Sequence, residues 1–423
     1  MSGFEEKDGV LHADGVSLQT IAKQVGTPAY VYSASVIESQ FAKLKGAMEK
    51  AIPANRQPLL CFACKANSNL AVLNFLQSLG SGLEIVSEGE LVRALKAGFD
   101  PKKIVSTGVG KSRSEIAACL KAGILQFNVE SIPELERIQE VAQDIDLIAR
   151  VAFRLNPDIG GGGHEKITTG RKTDKFGIVS EMMETAYTMA EKFSHIDPVG
   201  LHMHIGAQVF QVERFKDAFE KLRDVVLSLR KNGHSITRLD IGGGFPIVYK
   251  DEQLLDLDYY AKWVNEIIVP LDVEIVMEPG RFLVGNAGVL LTEVLFVKET
   301  PAKNFLIVDS AMNDLIRPAL YDSYHAIEPI ASGNAKWTKY DVVGPVCESG
   351  DTFTKDREMP EMKQGDFAVI RSAGAYGASM ASNYNTRPMA AEVMTKNGKF
   401  EVIRPRQTYE DIIGRDIIPD WTA

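Results

Sequence analysis

The sequence predicts an α/β protein, a TIM-like (β/α)8 barrel joined to a second, β-rich domain of sandwich or barrel type. Three observations predict it. Between about residues 35 and 280, short apolar runs alternate with segments of helical period, the signature of a parallel sheet with helical crossovers. Eight such units fill the stretch, and eight units in about 250 residues suit a closed barrel better than an open sheet. After Arg281 the texture changes to strand-like runs with no long helices between them.

Ala29, Tyr30, Val31 and Tyr32 read as a strand ahead of the first barrel helix, so residues 1–34 are expected to join the β domain. Ile37, Phe41, Leu44 and Met48 share one helical face, and residues 59–64 read as a buried strand. Asn69 can cap a helix with inner face Val72, Leu73, Leu76 and Leu79, ending near Gly80. Further strands are expected at 83–86, 104–106, 125–129, 148–154, 199–204, 238–241 and 274–277, with helices such as 112–122, 132–143 and 212–231 between them. The barrel is thus expected over 35–282 and the C-terminal β domain over 283–423, with strands at 289–297, 304–308, 340–343, 367–371 and 391–395. Asn397-Gly398, between two alternating runs, is a hairpin signal.

Hydrophobic residues at 45% and charged residues at 24% are ordinary for a globular protein, and 423 residues are enough for two domains. A net charge of −9 argues against a nucleic-acid surface. No apolar stretch approaches the roughly 20 residues of a membrane span, and Glu5, Glu6, Lys7 and Asp8 stand where a secretory signal would be apolar. A cytoplasmic protein with no membrane partner is expected. Cys61 and Cys64 form a C-x-x-C pair, but inside an apolar run and with no second ligand pair, so they read as core residues.

Functional residues of a parallel barrel collect at the carboxyl ends of its strands. Here Lys65, Arg154 with Asn156, His204, Gly242-Gly243-Gly244, and Glu278 with Arg281 all fall at such ends. A lysine at the end of a buried strand is costly unless neutral, paired or covalently modified, and a desolvated lysine can form a Schiff base with an aldehyde. The same position would also suit a lysine snorkelling to the rim. The triple glycine lets backbone N–H groups approach an anion, in the place where barrels often bind phosphate, although a plain tight turn would also use it. Glu278 could keep a pyridine nitrogen protonated or simply pair with Arg281. His204 could stack on a cofactor ring or be a core residue. A metal at His202 and His204 is not expected, because no carboxylate or cysteine at ligand spacing accompanies them.

Several long segments then carry a resemblance: CFACKANSNLAVL (61–73), RLNPDIGGGGHEKITTGRKTDKFGI (154–178), HIGAQ (204–208), LDIGGGFPI (239–247), EPGRFLV (278–284), DSAMNDLIRPALYDSYH (309–325), GPVCESGDTF (344–353) and SAGAYGASMASNYNTRP (372–388). They resemble the barrel-type pyridoxal-phosphate enzymes, a family that includes alanine racemase and the ornithine, arginine and diaminopimelate decarboxylases. The likeness to the diaminopimelate-decarboxylating members covers nearly the whole chain. It implies pyridoxal 5'-phosphate as cofactor and conversion of meso-2,6-diaminopimelate to L-lysine and CO2, the last step of lysine biosynthesis. It further implies that Lys65 holds the cofactor covalently, that His204 stacks on its ring, and that Glu278 pairs with the ring nitrogen. Gly243 and Gly244, with the backbone of Glu278, Pro279, Gly280 and Arg281, would hold the phosphate. Arg281, Arg317 and Tyr321 would clamp the distal carboxylate of the substrate, and Glu348 would accept its distal ammonium. Tyr376 would lie near cofactor and substrate. Cys347 would donate a proton, reaching the site with Glu348 from the partner subunit, so a homodimer with shared active sites is implied.

A racemase would typically pair the ring nitrogen with arginine, and a distal cation would want an acidic pocket rather than Arg317 and Tyr321. A decarboxylase of a carrier-bound or otherwise modified amino acid is the nearest rival. The intact Lys65, Glu278, Cys347 and Tyr376 speak against a silent cofactor-binding homologue. The chain departs from the family at Ala207, where serine is usual, a loss of about 1 kcal/mol of hydrogen bonding at most. The glycines of residues 158–172 suit a loop that closes over a site.

Overall fold

The computed structural model describes residues 3–159, 174–331, 333 and 336–422; most of the loop at 158–172 therefore lies outside the described residues. The chain divides into two compact units: Glu38–Val248 with Glu252–Leu283, and Met1–Ile37 with Tyr249–Asp251 and Val284–Ala423.

The first unit is a closed parallel barrel. Its strands are β1 (Leu59–Ala63), β2 (Gly82–Ile85), β3 (Ile104–Ser106), β4 (Gln126–Val129), β5 (Ala149–Asn156), β6 (Ile196–Met203), β7 (Arg238–Asp240) and β8 (Glu274–Met277). Each pairs in parallel with the next, and β8 pairs with β1 to close the ring. Several helices begin at side-chain caps: Asn69 accepts from Ala71 N–H, Ser87 from Glu90 N–H and Ser131 from Glu134 N–H. Ser112 and Glu115 form a reciprocal capping box. The longest, Val212–Lys231, buries Phe215, Ala218, Phe219, Leu222, Val226 and Leu229. Phe215, Phe219, Phe245 and Tyr260 pack with ring centroids 4.8–6.3 Å apart and anchor the segment that follows β7.

β6 begins at Ile196, earlier than periodicity suggests, because Pro198 and Gly200 interrupt the apolar pattern where the register against β5 shifts. At the other end several strands stop sooner than their apolar runs. Cys64 and Lys65 lie in the 3-10 turn Cys64–Ala66 beyond β1, and β7 ends at Asp240. Cys61 and Cys64 are buried free thiols, and burial pushes both thiols well up, which keeps them protonated and inert.

In the second unit Ala29–Ser33 is a fully buried strand, antiparallel to Gly288–Glu299 and parallel to Ala391–Lys396. The strands Ala391–Lys396 and Lys399–Arg404 form a hairpin around Asn397 and Gly398, both at positive φ. A three-stranded sheet, Phe4–Lys7, Val10–Ala13 and Val16–Ser17, precedes the helix Leu18–Val25. Its turns are Asp8-Gly9 and Asp14-Gly15, all four residues at positive φ. Phe4, Leu11, Ile21, Val31, Val289, Leu291, Val369 and Val393 share one core. The strand Thr352–Pro360 has no apolar run because it is an edge strand carrying Lys355, Asp356, Arg357 and Glu358. Among the described residues, no helix is long and apolar enough to cross a membrane.

Candidate active site

Barrel interiors are filled in layers by side chains from alternate strands, usually Val, Ile and Leu. Deep in this barrel Cys61, Val105 and Val276 with Leu59 and Leu125 keep to that rule. Nearer the carboxyl ends the even-numbered strands instead supply Glu84 from β2, Asn128 from β4, His202 from β6 and Glu278 directly after β8, with Asp240 from β7 beside them, all buried. Buried polar groups are expensive unless each finds a partner.

Lys65 supplies one. Its Nζ lies 2.9 and 3.1 Å from the two carboxylate oxygens of Glu84, which is fully buried, whereas the lysine side chain is 42% exposed. Burial raises the pKa of Glu84 and the Lys65 ammonium opposes the shift. The amine therefore sits at the rim, anchored by the buried carboxylate.

Glu278 accepts from Asn128 Nδ2 at 3.2 Å and Thr107 Oγ1 at 3.4 Å, and its other oxygen is 3.3 Å from His202 Nε2. Burial alone would favour the neutral acid, but His202 and Lys65 together hold its carboxyl well below the usual range. The backbone brings this group to the glycine turn: Glu278 N–H donates to Gly242 O, and Ala63 N–H donates to Pro279 O. A Cβ at Gly243 would stand 2.1 Å from Glu278 O, and Gly244 has φ +103°, so neither position takes a side chain freely. Gly243 N–H donates to His204 Nδ1 at 3.2 Å. That bond selects the tautomer protonated on Nε2. Burial, then the Arg154 and Lys65 charges, push the His204 pKa down to about 3, so the ring is a neutral, flat surface. Arg154 is held in turn by Glu130 at 2.7 Å and lies 4.7 Å over the Phe176 ring. Arg281 follows Pro279 and Gly280 and is buried.

The remaining sequence-predicted residues belong to the second unit. Arg317 and Tyr321 begin and end one short helix, and the guanidinium lies over the rings of Tyr321 (5.7 Å) and Tyr249 (5.4 Å) while donating to Ser323 Oγ at 3.1 Å. Cys347 and Glu348 are adjacent and exposed, and Cys347 N–H donates to Asn385 Oδ1 at 3.0 Å. Tyr376, half-buried, has φ 57°, and Ser372, Asn385 and Thr386 nearby in sequence are also left-handed. Such backbone costs on the order of 1–3 kcal/mol per residue and clusters at functional sites.

Sequence reasoning missed Glu84, Asn128 and Asp240, and weighed His202 only as a metal ligand. Their signal was present as a polar residue inside an apolar strand: Leu83-Glu84-Ile85, Phe127-Asn128-Val129 and Leu239-Asp240-Ile241. It also saw no carboxylate near the histidine pair, because the two that lie within 4.8 Å of His202, Asp240 and Glu278, come from other strands. Their oxygens accept from Asn128, Thr107 and Gly242, so the cluster is a hydrogen-bonded network.

Residues 36–285 match the family described as pyridoxal-dependent decarboxylase, pyridoxal binding domain. The chain belongs to this family. It is 45% identical to a diaminopimelate decarboxylase of Pseudomonas aeruginosa over 99% of this chain and 100% of that protein. Among solved structures, diaminopimelate decarboxylase from M. jannaschii in co-complex with L-lysine is 36% identical, covers 99% of both chains and has a TM-score of 0.94. The Helicobacter pylori enzyme complexed with L-lysine is 41% identical, covers 94% of this chain and 98% of that one, with a TM-score of 0.89. Lysine/ornithine decarboxylase from Vibrio vulnificus, at 23% identity and a TM-score of 0.78, shares the fold.

The residues at the barrel mouth fit pyridoxal phosphate. A rim lysine stands over a buried carboxylate, a second carboxylate is kept ionised by its neighbours, and the turn at Gly243 and Gly244 leaves room only where side chains are absent. The N–H of Gly243 is spent on His204, and its missing Cβ makes room for the backbone of Glu278.

Proposed function

We propose that the protein is a diaminopimelate decarboxylase, releasing CO2 from meso-2,6-diaminopimelate to give L-lysine at the end of lysine biosynthesis. The observation that carries the reading is Lys65, an amine at the open rim of the barrel held by the buried carboxylate of Glu84, in a chain alike from end to end to proteins of that name.

Pyridoxal phosphate, when bound, supplies an electron sink for the pair left behind as CO2 departs. The chain's own residues do the rest. Lys65 is the residue whose amine would hold the cofactor covalently, through its aldehyde. Glu84 steadies that amine while it is charged. Glu278, kept ionised, would accept a hydrogen bond from the protonated ring nitrogen, and His204 would present a neutral face to the ring. Gly244 and the backbone of Glu278, Pro279, Gly280 and Arg281 approach the phosphate. Arg281, Arg317 and Tyr321 take the distal carboxylate, for which a guanidinium fork is better matched than a lysine. Glu348 takes the distal ammonium, and Tyr376 lies beside the reacting centre. Cys347 delivers the proton to the α-carbon, and it and Glu348 come from the partner subunit of a homodimer.

The test is CO2 release from cofactor-loaded protein given meso-diaminopimelate, ornithine, arginine or L-lysine, with Lys65→Ala as blank. Release from diaminopimelate alone, absent in the blank, supports the reading. Release from ornithine or arginine alone refutes the clamp at Arg317 and Tyr321.

A further inference from the structure

Two carboxyl groups lie close together in the buried interior of this barrel, and only Glu278 has a part in the chemistry above. Asp240 is fully buried. Its Oδ1 accepts Gly242 N–H at 3.0 Å and its Oδ2 accepts Asn128 Nδ2 at 3.1 Å. The orientation of Asn128 is set from a distance. Arg238, which can only donate, gives Nη1–H to Gln126 Oε1 at 3.2 Å. Gln126 must then point its Nε2 away, and it donates to Asn128 Oδ1 at 2.7 Å. The carboxamide of Asn128 is thereby turned with its NH2 toward Asp240 and Glu278, with Thr107 Oγ1 also 3.0 Å away.

Those donors do not suffice for two anions. Asn128 has two protons for three acceptors, and the Lys65 ammonium lies against a third buried carboxylate, Glu84. Two like charges this close and this deeply buried do not both ionise, and one proton stays between them. The surroundings decide where it resides. Glu278 has His202, Asn128 and Thr107 around it, whereas Asp240 has a peptide N–H and a share of Asn128. We propose that Asp240 is a positioning residue that works as a neutral acid, donating its proton to Glu278 so that this carboxylate stays ionised and aimed at the ring nitrogen of the cofactor. Burial and the Glu278 charge push the Asp240 pKa well up, in the same sense. The inference rests on the reading that Glu278 serves the ring nitrogen.

The decisive comparison is Asp240→Asn against Asp240→Ala, both as cofactor-loaded full-length protein. An asparagine keeps a donor toward Glu278 and an acceptor for Gly242 without a titratable proton, and gives up only the acceptor for Asn128, whose NH2 still has Glu278 and Thr107. Three things are read: the absorption spectrum of the bound cofactor, kcat and KM for meso-diaminopimelate, and the protonated-carboxyl stretch in the infrared difference spectrum against wild type. Asp240→Asn is expected to keep the wild-type cofactor spectrum and a kcat within about threefold, and to lose one protonated-carboxyl band. Asp240→Ala is expected to alter the cofactor spectrum and to lower kcat about tenfold or more with KM little changed, the loss of one hydrogen bond to a charged group. An Asp240→Asn protein as impaired as Asp240→Ala, or one that loses no protonated-carboxyl band, overturns the proposal. So does an Asp240→Ala protein with wild-type spectrum and kcat. If wild type binds the cofactor but releases no CO2 from diaminopimelate, the functional reading fails separately, while the spectra and the infrared band still test Asp240.

Discussion

Replacing Gly243 by alanine tests how closely the turn after β7 is bound to the residues after β8. The added Cβ would stand 2.1 Å from Glu278 O, where contacts below 3.4 Å are already tight, so the backbones must part by about 1.3 Å (3.4 − 2.1). Neither side yields easily, because Glu278 N–H is bonded to Gly242 O and Ala63 N–H to Pro279 O. Overpacking of this kind costs about 1–3 kcal/mol. For a unit of this size that is a fall in Tm of about 2–12 °C. The same displacement moves the carboxylate of Glu278 and the N–H that orients His204. Thermal melts with and without pyridoxal phosphate, and a cofactor titration, should therefore show a less stable protein with affinity weaker by about tenfold or more. Gly46→Ala is the control, since no atom lies within 4 Å of its Cβ; it lies inside the helix Ala34–Ala51 and should be neutral or stabilising by about 0.5–1 kcal/mol. A Gly243→Ala protein with wild-type Tm and wild-type cofactor affinity would refute the argument.

Lys111→Met should destabilise the barrel by about 3–5 kcal/mol in urea unfolding, because it breaks a buried ion pair: Lys111 Nζ lies 2.7 Å from Glu134 and also donates to Gly108 O and Asn128 O. An unchanged unfolding midpoint would show that Glu134 finds another partner. His234 lies 2.9 Å from both Glu184 and Glu191, and although burial works against its cation the two carboxylates outweigh it and raise its pKa. Its contribution is therefore fully present below the unfolded value of about 6.5 and is lost as pH rises through the higher folded value. His234→Gln should then lower Tm more at about pH 6 than at about pH 9; an equal loss at both would rule out the charge as the cause.

The barrel was legible because its evidence is local and repeated. Strands such as Ile104–Ser106 and Glu274–Met277 and the helix Val212–Lys231 lie where periodicity places them, since an apolar run or stripe is set by which face must be buried. The hairpin at Asn397-Gly398 was legible from turn chemistry, and by the same rule Asp8-Gly9 and Asp14-Gly15 marked the overlooked N-terminal sheet. The edge strand Thr352–Pro360 was not legible, because charged residues that protect an edge erase the alternation that would reveal it.

The chemistry divides along the same line. By itself the sequence determined which reactive groups stand at strand ends, Lys65, His204, the glycine turn and Glu278, because strand ends are a one-dimensional property of the chain. Only the tertiary structure decided what those groups touch. Glu84 under Lys65, His202 against Glu278, and the path from Arg238 through Gln126 and Asn128 to Asp240 join strands far apart in sequence. Closing the barrel makes them neighbours in a buried interior, and it is there, where charges are poorly screened, that protonation states are set.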